Sequence, residues 1–123
     1  RDPKRRLMLV DTTVWVDHLR RGDAVVVDLL EHLQVTVHPF VVGELACGHI
    51  RNRPAVLAAL GRLPAVPVMG HADVLAFIEA NKLMGRGLGW VDVNLLVSAD
   101  AAGKKLLTRD RRLRDAAESL GLA

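Results

Sequence analysis

Short apolar runs alternate with longer segments of helical spacing along most of the chain. The runs are short enough for buried strands, and they predict strands at 7–11, 35–39, 65–69 and 104–108. The longer segments repeat apolar residues three and four positions apart, and glycine or proline marks many of their ends. They predict helices at 13–23, 23–34, 40–51, 54–63, 71–85, 90–103 and 109–121. This alternation is typical of an α/β fold with a mainly parallel central sheet.

Two of the predicted strands lead into acidic residues. The first, LMLVD, ends on Asp11 and continues into Thr12 and Thr13, and Asp110 lies two residues beyond the last strand. Ligands of parallel sheets bind outside the carboxyl ends of the strands. If the two strands are neighbours, we expect Asp11 and Asp110 on the same edge of the sheet.

Composition limits the class of protein. The chain has 123 residues, half of them hydrophobic, which suits one domain with its own core. Its single cysteine, Cys47, excludes an internal disulfide and fits a reducing cytoplasm, which is the location we expect. No apolar stretch reaches the roughly 20 residues of a membrane span, so we expect no membrane association.

The net charge of +3 comes from the first seven residues, RDPKRRL, which hold four basic side chains and one acidic one. The remaining charges balance, so the net charge does not indicate nucleic-acid binding. We interpret Met8 as the native start and residues 1–7 as an added or disordered leader. Residues 8–123 are then expected to form the single domain.

Four acids adjoin apolar segments, whereas the others lie on polar helix faces or at helix starts. They are Asp11, Glu44, Asp92 and Asp110. A helix cap or a favourable helix dipole explains Asp92 and Asp110 individually. Buried carboxylates without partners are costly, and no matching buried basic residues accompany the set. Converging carboxylates repel unless a proton or a cation joins them, and oxygen-only ligands suit magnesium or manganese.

Over nearly its whole length, from Met8 onward, the sequence resembles PIN-domain ribonucleases of the VapC toxin type. Four segments in order carry the resemblance: LVDTTVWVDHLR, VVGELACG, GLGWVDVNLLVSADAAG and LLTRDRRL. The first matches the family's aspartate and following hydroxyl with Asp11 and Thr12. The second matches a glutamate borne on a helix with Glu44.

The third segment matches an aspartate that opens a helix with Asp92, and the fourth matches Thr108 and Asp110. The fourth position varies most in the family. The opening motif more often has serine where Thr13 stands, and the threonine keeps the hydroxyl. The resemblance implies a three-layer α/β/α sandwich with a mainly parallel sheet.

The resemblance also implies an activity, the metal-dependent hydrolysis of RNA phosphodiester bonds. Mg²⁺ is the expected ion, with Mn²⁺ as the alternative, and Asp11 and Asp92 are the expected direct ligands. Glu44 and Asp110 are expected to ligate as well, to hold metal-bound water, or to accept a proton. Thr12 and Thr108 are expected to orient these groups. Because the attacker is water, cleavage is not expected to require the 2′-hydroxyl.

RNA binding requires a local basic patch, since the net charge supplies none. Arg109, Arg111 and Arg112 around Asp110 are the predicted substrate contacts, and a solvated helix face is the alternative interpretation. The resemblance implies two protein partners as well, a VapB-like antitoxin whose tail covers the acidic site and a second copy in a homodimer. The apolar segments VVVDLL and VLAFIEANKLM are the candidate partner surfaces, although core packing explains them equally well.

Two other protein classes place an acid at the end of the first strand but require residues that this sequence lacks. A phosphatase of the haloacid dehalogenase kind requires a second aspartate where Thr13 stands, and a receiver domain requires a late lysine at a strand end, whereas Lys104 and Lys105 begin a strand. A degenerate PIN fold that only binds partners and a housekeeping PIN nuclease remain as alternatives.

Residues outside the four motifs receive structural interpretations. The five histidines form no metal-binding motif, and we interpret them as ordinary core or surface residues. Cys47 is expected to be a small buried hydrophobic residue. Trp15 and Trp90 are expected to anchor the core or an interface, and contact of Trp90 with substrate is the minor alternative.

Overall fold

The computed structural model describes residues 7–123, so all of the predicted leader except Leu7 lies outside the described residues. The sheet contains the strands β1 (Met8–Val10), β2 (Val35–Thr36) and β3 (Lys105–Leu107). The helices of this part of the chain are α1 (Thr12–Arg21), α2 (Ala24–Glu31), α3 (Pro39–Ala46), α4 (Arg53–Gly61), α5 (His71–Ala80), α6 (Trp90–Ala102) and α7 (Arg111–Ser119). None of these helices has the length and apolar character needed to cross a bilayer.

Strand β1 lies at the centre of the sheet and pairs in parallel with β2 on one side and β3 on the other. Its residues Leu9 and Val10 are fully buried, as expected for a strand covered on both faces. The crossovers from β1 to β2 and from β2 to β3 run in opposite directions along the sheet. Right-handed crossovers therefore place their helices on opposite faces. The predicted α/β/α arrangement with a parallel sheet is confirmed.

The strand predicted at 65–69 is wrong in extent, because only Ala65 pairs, in an isolated parallel bridge with Val37. Val37 donates its N–H to the carbonyl of Pro64, and Val66 donates to the carbonyl of Val37, both at 2.9 Å. Pairing stops at Pro67 because proline has no N–H to donate to a sheet. The carbonyl of Pro67 instead accepts a 2.7 Å hydrogen bond from the Ser98 hydroxyl on α6.

The third predicted helix is shorter than its apolar pattern indicated. Helix α3 ends at Ala46, and a loop follows it to α4. Arg53 stabilises this loop by donating to the carbonyls of Ala46 at 2.5 Å and Gly48 at 3.0 Å. Because the helix has ended, Cys47 is exposed, and the prediction that it is buried is wrong.

The two tryptophans occupy different environments. Trp15 on α1 is only 2% exposed and belongs to the core, as predicted. Trp90 begins α6 and is 42% exposed, so it does not anchor the core. Its ring lies against that of His71, with a centroid distance of 5.1 Å. The rest of α6 is almost completely buried from Val93 to Ala99, which gives its first turn a fixed position.

His38 is fully buried and caps α3. Its Nδ1 accepts a 2.9 Å hydrogen bond from the N–H of Phe40. Burial lowers the pKa of His38 from 6.5 to about 4, so the ring is neutral near pH 7. It is a core histidine, in agreement with the interpretation from sequence, and adds no positive charge near the sheet edge.

Candidate functional site

Asp11 is held in one orientation at the carboxyl end of the central strand. It lies between β1 and α1, is 4% exposed, and its Oδ1 accepts a 2.7 Å hydrogen bond from the N–H of Thr12. Its Oδ2 accepts two hydroxyl hydrogen bonds, from Thr13 at 2.8 Å and Thr108 at 2.7 Å. A carboxylate offers about four acceptor positions, so about one is left for a ligand.

Thr13 was missed as a site residue by sequence reasoning, which treated it only as a departure from serine. The only signal in the sequence was the hydroxyl itself, two residues after Asp11 and at the start of the predicted helix. Thr12 contacts a different acid: its hydroxyl donates to Oε1 of Glu44 at 2.6 Å. Helices α1 and α3 pack together, and this contact brings Glu44 to the same edge as Asp11.

Asp92 lies in the first turn of α6, a helix whose N-cap residue has no side chain. Gly89 precedes the helix and has no side chain to cap it, and Oδ2 of Asp92 accepts the Gly89 N–H at 2.8 Å. Burial raises the pKa of Asp92, and the negative charges of Asp11, Asp110 and Glu44 raise it further, whereas the bond from Gly89 acts to lower it. The four predicted acids therefore lie close enough to interact electrostatically.

Asp110 caps α7 and also belongs to the acidic set. Its Oδ1 accepts the Leu113 N–H at 3.1 Å, as expected for a helix cap. Its own N–H donates to the Thr108 hydroxyl at 3.1 Å, and that hydroxyl donates to Asp11. These hydrogen bonds connect the first and last motifs, and Thr108, which makes them, is only 5% exposed. Capping alone does not account for Asp110, because its charge acts on Asp92.

The four carboxylates have no counter-charge in the described structure. Among residues 7–123, no Lys, Arg or His side chain forms an ion pair with any of them. In the same residues, no group of three or more His, Cys, Asp or Glu side chains already stands at the spacing of a metal cage. The carboxylates thus influence one another but are not spaced as the ligands of a metal ion. This is expected for carboxylates that share one edge of the sheet and repel one another.

The donor set fits a hard divalent cation. All candidate ligands are carboxylate oxygens, which suit Mg²⁺ or Mn²⁺ better than softer metals. Mg²⁺ retains several water molecules in protein sites, so an ion can bind here without direct contact to all four carboxylates. Helices α1, α6 and α7 also direct their positive ends towards this edge, since each begins beside one of the acids.

The three predicted substrate arginines lie in different environments. Arg109 pairs through Nη1 with Oδ2 of Asp23 at 2.6 Å and with Oδ2 of Asp17 at 3.3 Å. Arg112 lies over Gly87, where an added Cβ would stand 2.7 Å from the arginine Cδ. Arg111 is exposed on the first turn of α7. Only Arg111 extends into solvent without such a contact in the described residues.

A cleft of about 430 Å³ opens beside Thr12 and Glu44 and was not predicted. Its floor is apolar, and it is lined also by two arginines from opposite sides, Arg20 of α1 and Arg51 of the loop after α3. Thr12, Val16, Leu19 and Arg20 lie three to four residues apart and so share one face of α1. That spacing was visible in the sequence, whereas the approach of the loop at residues 48–51 was not.

Comparison with known proteins shows the family to which the chain is related. The sequence profile of the PIN domain matches residues 8–119. Two curated relatives, each called Ribonuclease VapC32, come from the CDC 1551 / Oshkosh and ATCC 25618 / H37Rv strains of Mycobacterium tuberculosis. Each is 47% identical over 118 residues, which covers 95% of this chain and 95% of the relative.

Proposed function

The chain belongs to the PIN-domain family, and from this premise we propose that it is a metal-dependent endoribonuclease of the VapC type. In this proposal it hydrolyses RNA phosphodiester bonds and acts in the cytoplasm as the toxin of a toxin–antitoxin pair. The observation that carries the proposal is the hydrogen bonding of Asp11, Glu44 and Asp110 to the Thr12 and Thr108 hydroxyls at one end of the sheet. Asp92, at the start of α6, lies within electrostatic reach of all three acids. Four acids from distant segments share one edge of the sheet, and no basic side chain of the described residues neutralises them.

Asp11 and Asp92 would hold the ion, because both are fixed by hydrogen bonds that leave part of each carboxylate for a ligand. A bound divalent ion neutralises phosphate charge and lowers the pKa of water, which together permit hydrolysis near neutral pH. Glu44 and Asp110 would orient the attacking water or accept its proton, and both are exposed to solvent. Thr108 would fix the positions of Asp11 and Asp110 relative to each other.

Water as the nucleophile gives the reaction a recognisable signature. A mechanism that uses the 2′-hydroxyl ends in a cyclic phosphate, whereas direct attack by water does not. We therefore expect cleavage of a substrate that carries a single 2′-deoxy substitution at the cut site. His38 is fully buried, and its Nδ1 is occupied by the Phe40 N–H, so this histidine is not available as the base of such a mechanism.

The cleft beside Glu44 is suited to the antitoxin. Its apolar floor fits apolar side chains of a peptide segment, Arg20 and Arg51 fit acidic ones, and Glu44 fits a basic one. We propose that a segment of a VapB-like antitoxin occupies this cleft and excludes RNA from the acids. Replacing Arg20 and Arg51 by glutamate should weaken inhibition by the antitoxin more than tenfold, as charge reversal at an interface typically does.

Homodimerisation is part of the proposal as well. The two candidate partner surfaces keep exposed apolar side chains, Val25 and Val27 on α2, and Leu75 with Met84 at and beyond α5. Isolated exposed apolar residues are common, so the oligomeric state has to be measured. Light scattering coupled to size exclusion should give twice the chain mass, and Leu75→Lys should shift the mass to that of one chain if α5 forms the interface.

The activity itself is tested by RNA cleavage under four conditions. The wild-type protein should cleave RNA in Mg²⁺, and chelator, Asp11→Asn and Asp92→Asn should each abolish cleavage. Asp100→Asn is the matched control, because Asp100 is an exposed acid at the opposite end of α6 from Asp92. Cleavage by Asp92→Asn at the wild-type rate would refute the assigned role. Binding of RNA without cleavage by any form would favour the non-catalytic PIN module.

A housekeeping nuclease differs from a toxin in its genetic setting and its regulation. A small neighbouring reading frame that encodes a DNA-binding fold favours the toxin. Co-expression supplies the functional test: growth arrest on expression of this chain, relieved by the neighbour's product, supports a toxin–antitoxin pair. Normal growth during expression of the active enzyme supports the housekeeping role.

A further inference from the structure

We infer that Arg109 is a positioning residue of the acidic site, and that its ion pair with Asp23 holds the segment from Thr108 to Asp110 against α1. This inference rests on the proposed function and deepens it. It also replaces the prediction from sequence that Arg109 contacts RNA.

The ion pair is short and its acidic partner is already fixed. Arg109 Nη1 lies 2.6 Å from Oδ2 of Asp23, whose side chain is 12% exposed. The other oxygen of Asp23, Oδ1, caps α2 by accepting the N–H groups of Val25 at 3.0 Å and Val26 at 3.2 Å. The backbone N–H of Asp23 donates to Nδ1 of His18 at 3.2 Å. One carboxylate thus caps a helix with one oxygen and binds the arginine with the other.

A second carboxylate extends the ion pair to α1. Asp17 accepts from Arg109 at 3.3 Å and from Arg21 at 3.3 Å. Asp17 belongs to the helix that Asp11 caps. Arg109 therefore connects the loop after β3 to the body of α1 and to the start of α2, about 90 residues earlier in the chain.

The residues on either side of Arg109 belong to the candidate site. Thr108 donates to Asp11, and Asp110 donates its N–H to Thr108 while its charge acts on Asp92. A side chain anchored at 109 restricts the backbone at 108 and 110, because neighbouring residues share peptide planes. Loss of the anchor should loosen the distance between the carboxylates of Asp11 and Asp110.

The state of charge of the pair supports a permanent role. The hydrogen bond from Arg109 is the largest influence on Asp23 and lowers its pKa from 3.8 to about 2. The same pair raises the pKa of Arg109. Aspartate and arginine side chains are both charged near neutral pH, so the ion pair is present there. An arginine occupied by two carboxylates is a poor contact for a phosphate, since the phosphate would have to displace them.

A double-mutant cycle separates positioning from RNA contact. Arg109→Met removes the charge, and Asp23→Asn removes the ion pair while asparagine retains the cap of α2. We expect each variant to lower kcat about tenfold with KM within twofold, as loss of an orienting partner typically does. The double variant should be no slower than Arg109→Met, because Arg109→Met already removes the interaction with Asp23. Arg109→Lys should recover part of kcat, and Asp100→Asn should behave as wild type.

An RNA contact predicts the opposite pattern. Arg109→Met would then raise KM and reduce the salt dependence of binding, with kcat unchanged, while Asp23→Asn would leave both constants unchanged or lower KM. That pattern, or additive losses in the double variant, would overturn the inference. Melting temperatures of all variants distinguish a slower enzyme from an unfolded one.

Failure of the proposed function is detected separately. If the wild-type protein does not cleave RNA in Mg²⁺, the proposed function fails, and amide hydrogen exchange then tests the positioning role. The Asp110 N–H is bonded to the Thr108 hydroxyl and should exchange at least tenfold faster in Arg109→Met and Asp23→Asn. The exchange rate should be unchanged in Asp100→Asn. Equal exchange in all four proteins would refute the inference.

Discussion

The Thr108 hydroxyl donates to Oδ2 of Asp11 across 2.7 Å and joins two segments separated by 97 residues. The bond exists because β1 and β3 are parallel neighbours in which Val10 lies opposite Leu107. The next residue of each strand then emerges on the same edge. The first and last motifs of the chain therefore form one unit at the end of the sheet.

Removal of the Thr108 hydroxyl should affect stability and activity together. Thr108→Val leaves the buried Oδ2 of Asp11 with one donor fewer and the Asp110 N–H without its acceptor. We expect a loss of about 1–3 kcal/mol in the free energy of unfolding, measured by urea denaturation. Thr108→Ser keeps the hydroxyl and should recover most of it. Thr13→Val should cost less than Thr108→Val, because Thr13 is exposed to water. Equal stability of Thr108→Val and wild type would contradict this account.

Asp92→Asn should make the metal-free protein more stable while it abolishes cleavage. The raised pKa of Asp92 shows that its charge is unfavourable in the folded protein, and asparagine removes the charge but retains an oxygen for the Gly89 N–H. In chelator we expect the melting temperature to rise by a few degrees. Added Mg²⁺ or Mn²⁺ should stabilise the wild type more than the variant. A lower melting temperature for Asp92→Asn in chelator would show that repulsion among the acids is unimportant.

Gly87→Ala should destabilise the turn that precedes α6. Gly87 has a φ of +77°, which alanine adopts poorly, and the added Cβ would stand 2.7 Å from Cδ of Arg112. The left-handed backbone should cost about 1–2 kcal/mol in unfolding experiments. Arg112→Ala in the same chain should relieve the collision and leave the backbone cost. Gly61→Ala is the control, since nothing lies within 4 Å of its added Cβ and alanine is the better helix former at this position in α4, so it should not destabilise the protein.

Stability should fall between pH 6.5 and 4 because His38 is buried. Its folded pKa of about 4 is below the unfolded value of 6.5, so the unfolded chain binds the proton first as pH falls. The stabilisation is complete above pH 6.5 and is lost progressively towards pH 4, by up to about 3 kcal/mol. His38→Asn keeps a residue that can cap α3 and should lose this component of the pH dependence. Urea denaturation at pH 7.5 and 4.5 measures the difference. Parallel profiles for the two proteins would disprove the assignment.

Much of the fold followed from local patterns, and the failures have local causes too. The apolar runs at β1 and β3 and the amphipathic segments around them predicted the parallel α/β sheet. The run at 65–69 failed as a strand because Pro67 has no N–H for the ladder, which hydrophobicity alone does not reveal. The burial of Cys47 was predicted from its neighbours, and it failed because Arg53 stabilises a loop where the pattern indicated a continuing helix.

The sequence by itself determined that Asp11, Glu44, Asp92 and Asp110 each stand at the border of an apolar segment. Chemistry that depends only on residue type and on spacing along the chain can be predicted from the sequence. Only the tertiary structure decided that Thr13 and Thr108 share one oxygen of Asp11, that Thr12 contacts Glu44, and that Asp23 occupies Arg109. Hydrogen bonds and ion pairs act over about 3 Å. Which residues come that close depends on strand order and helix packing, and the sequence alone does not distinguish between the possible partners.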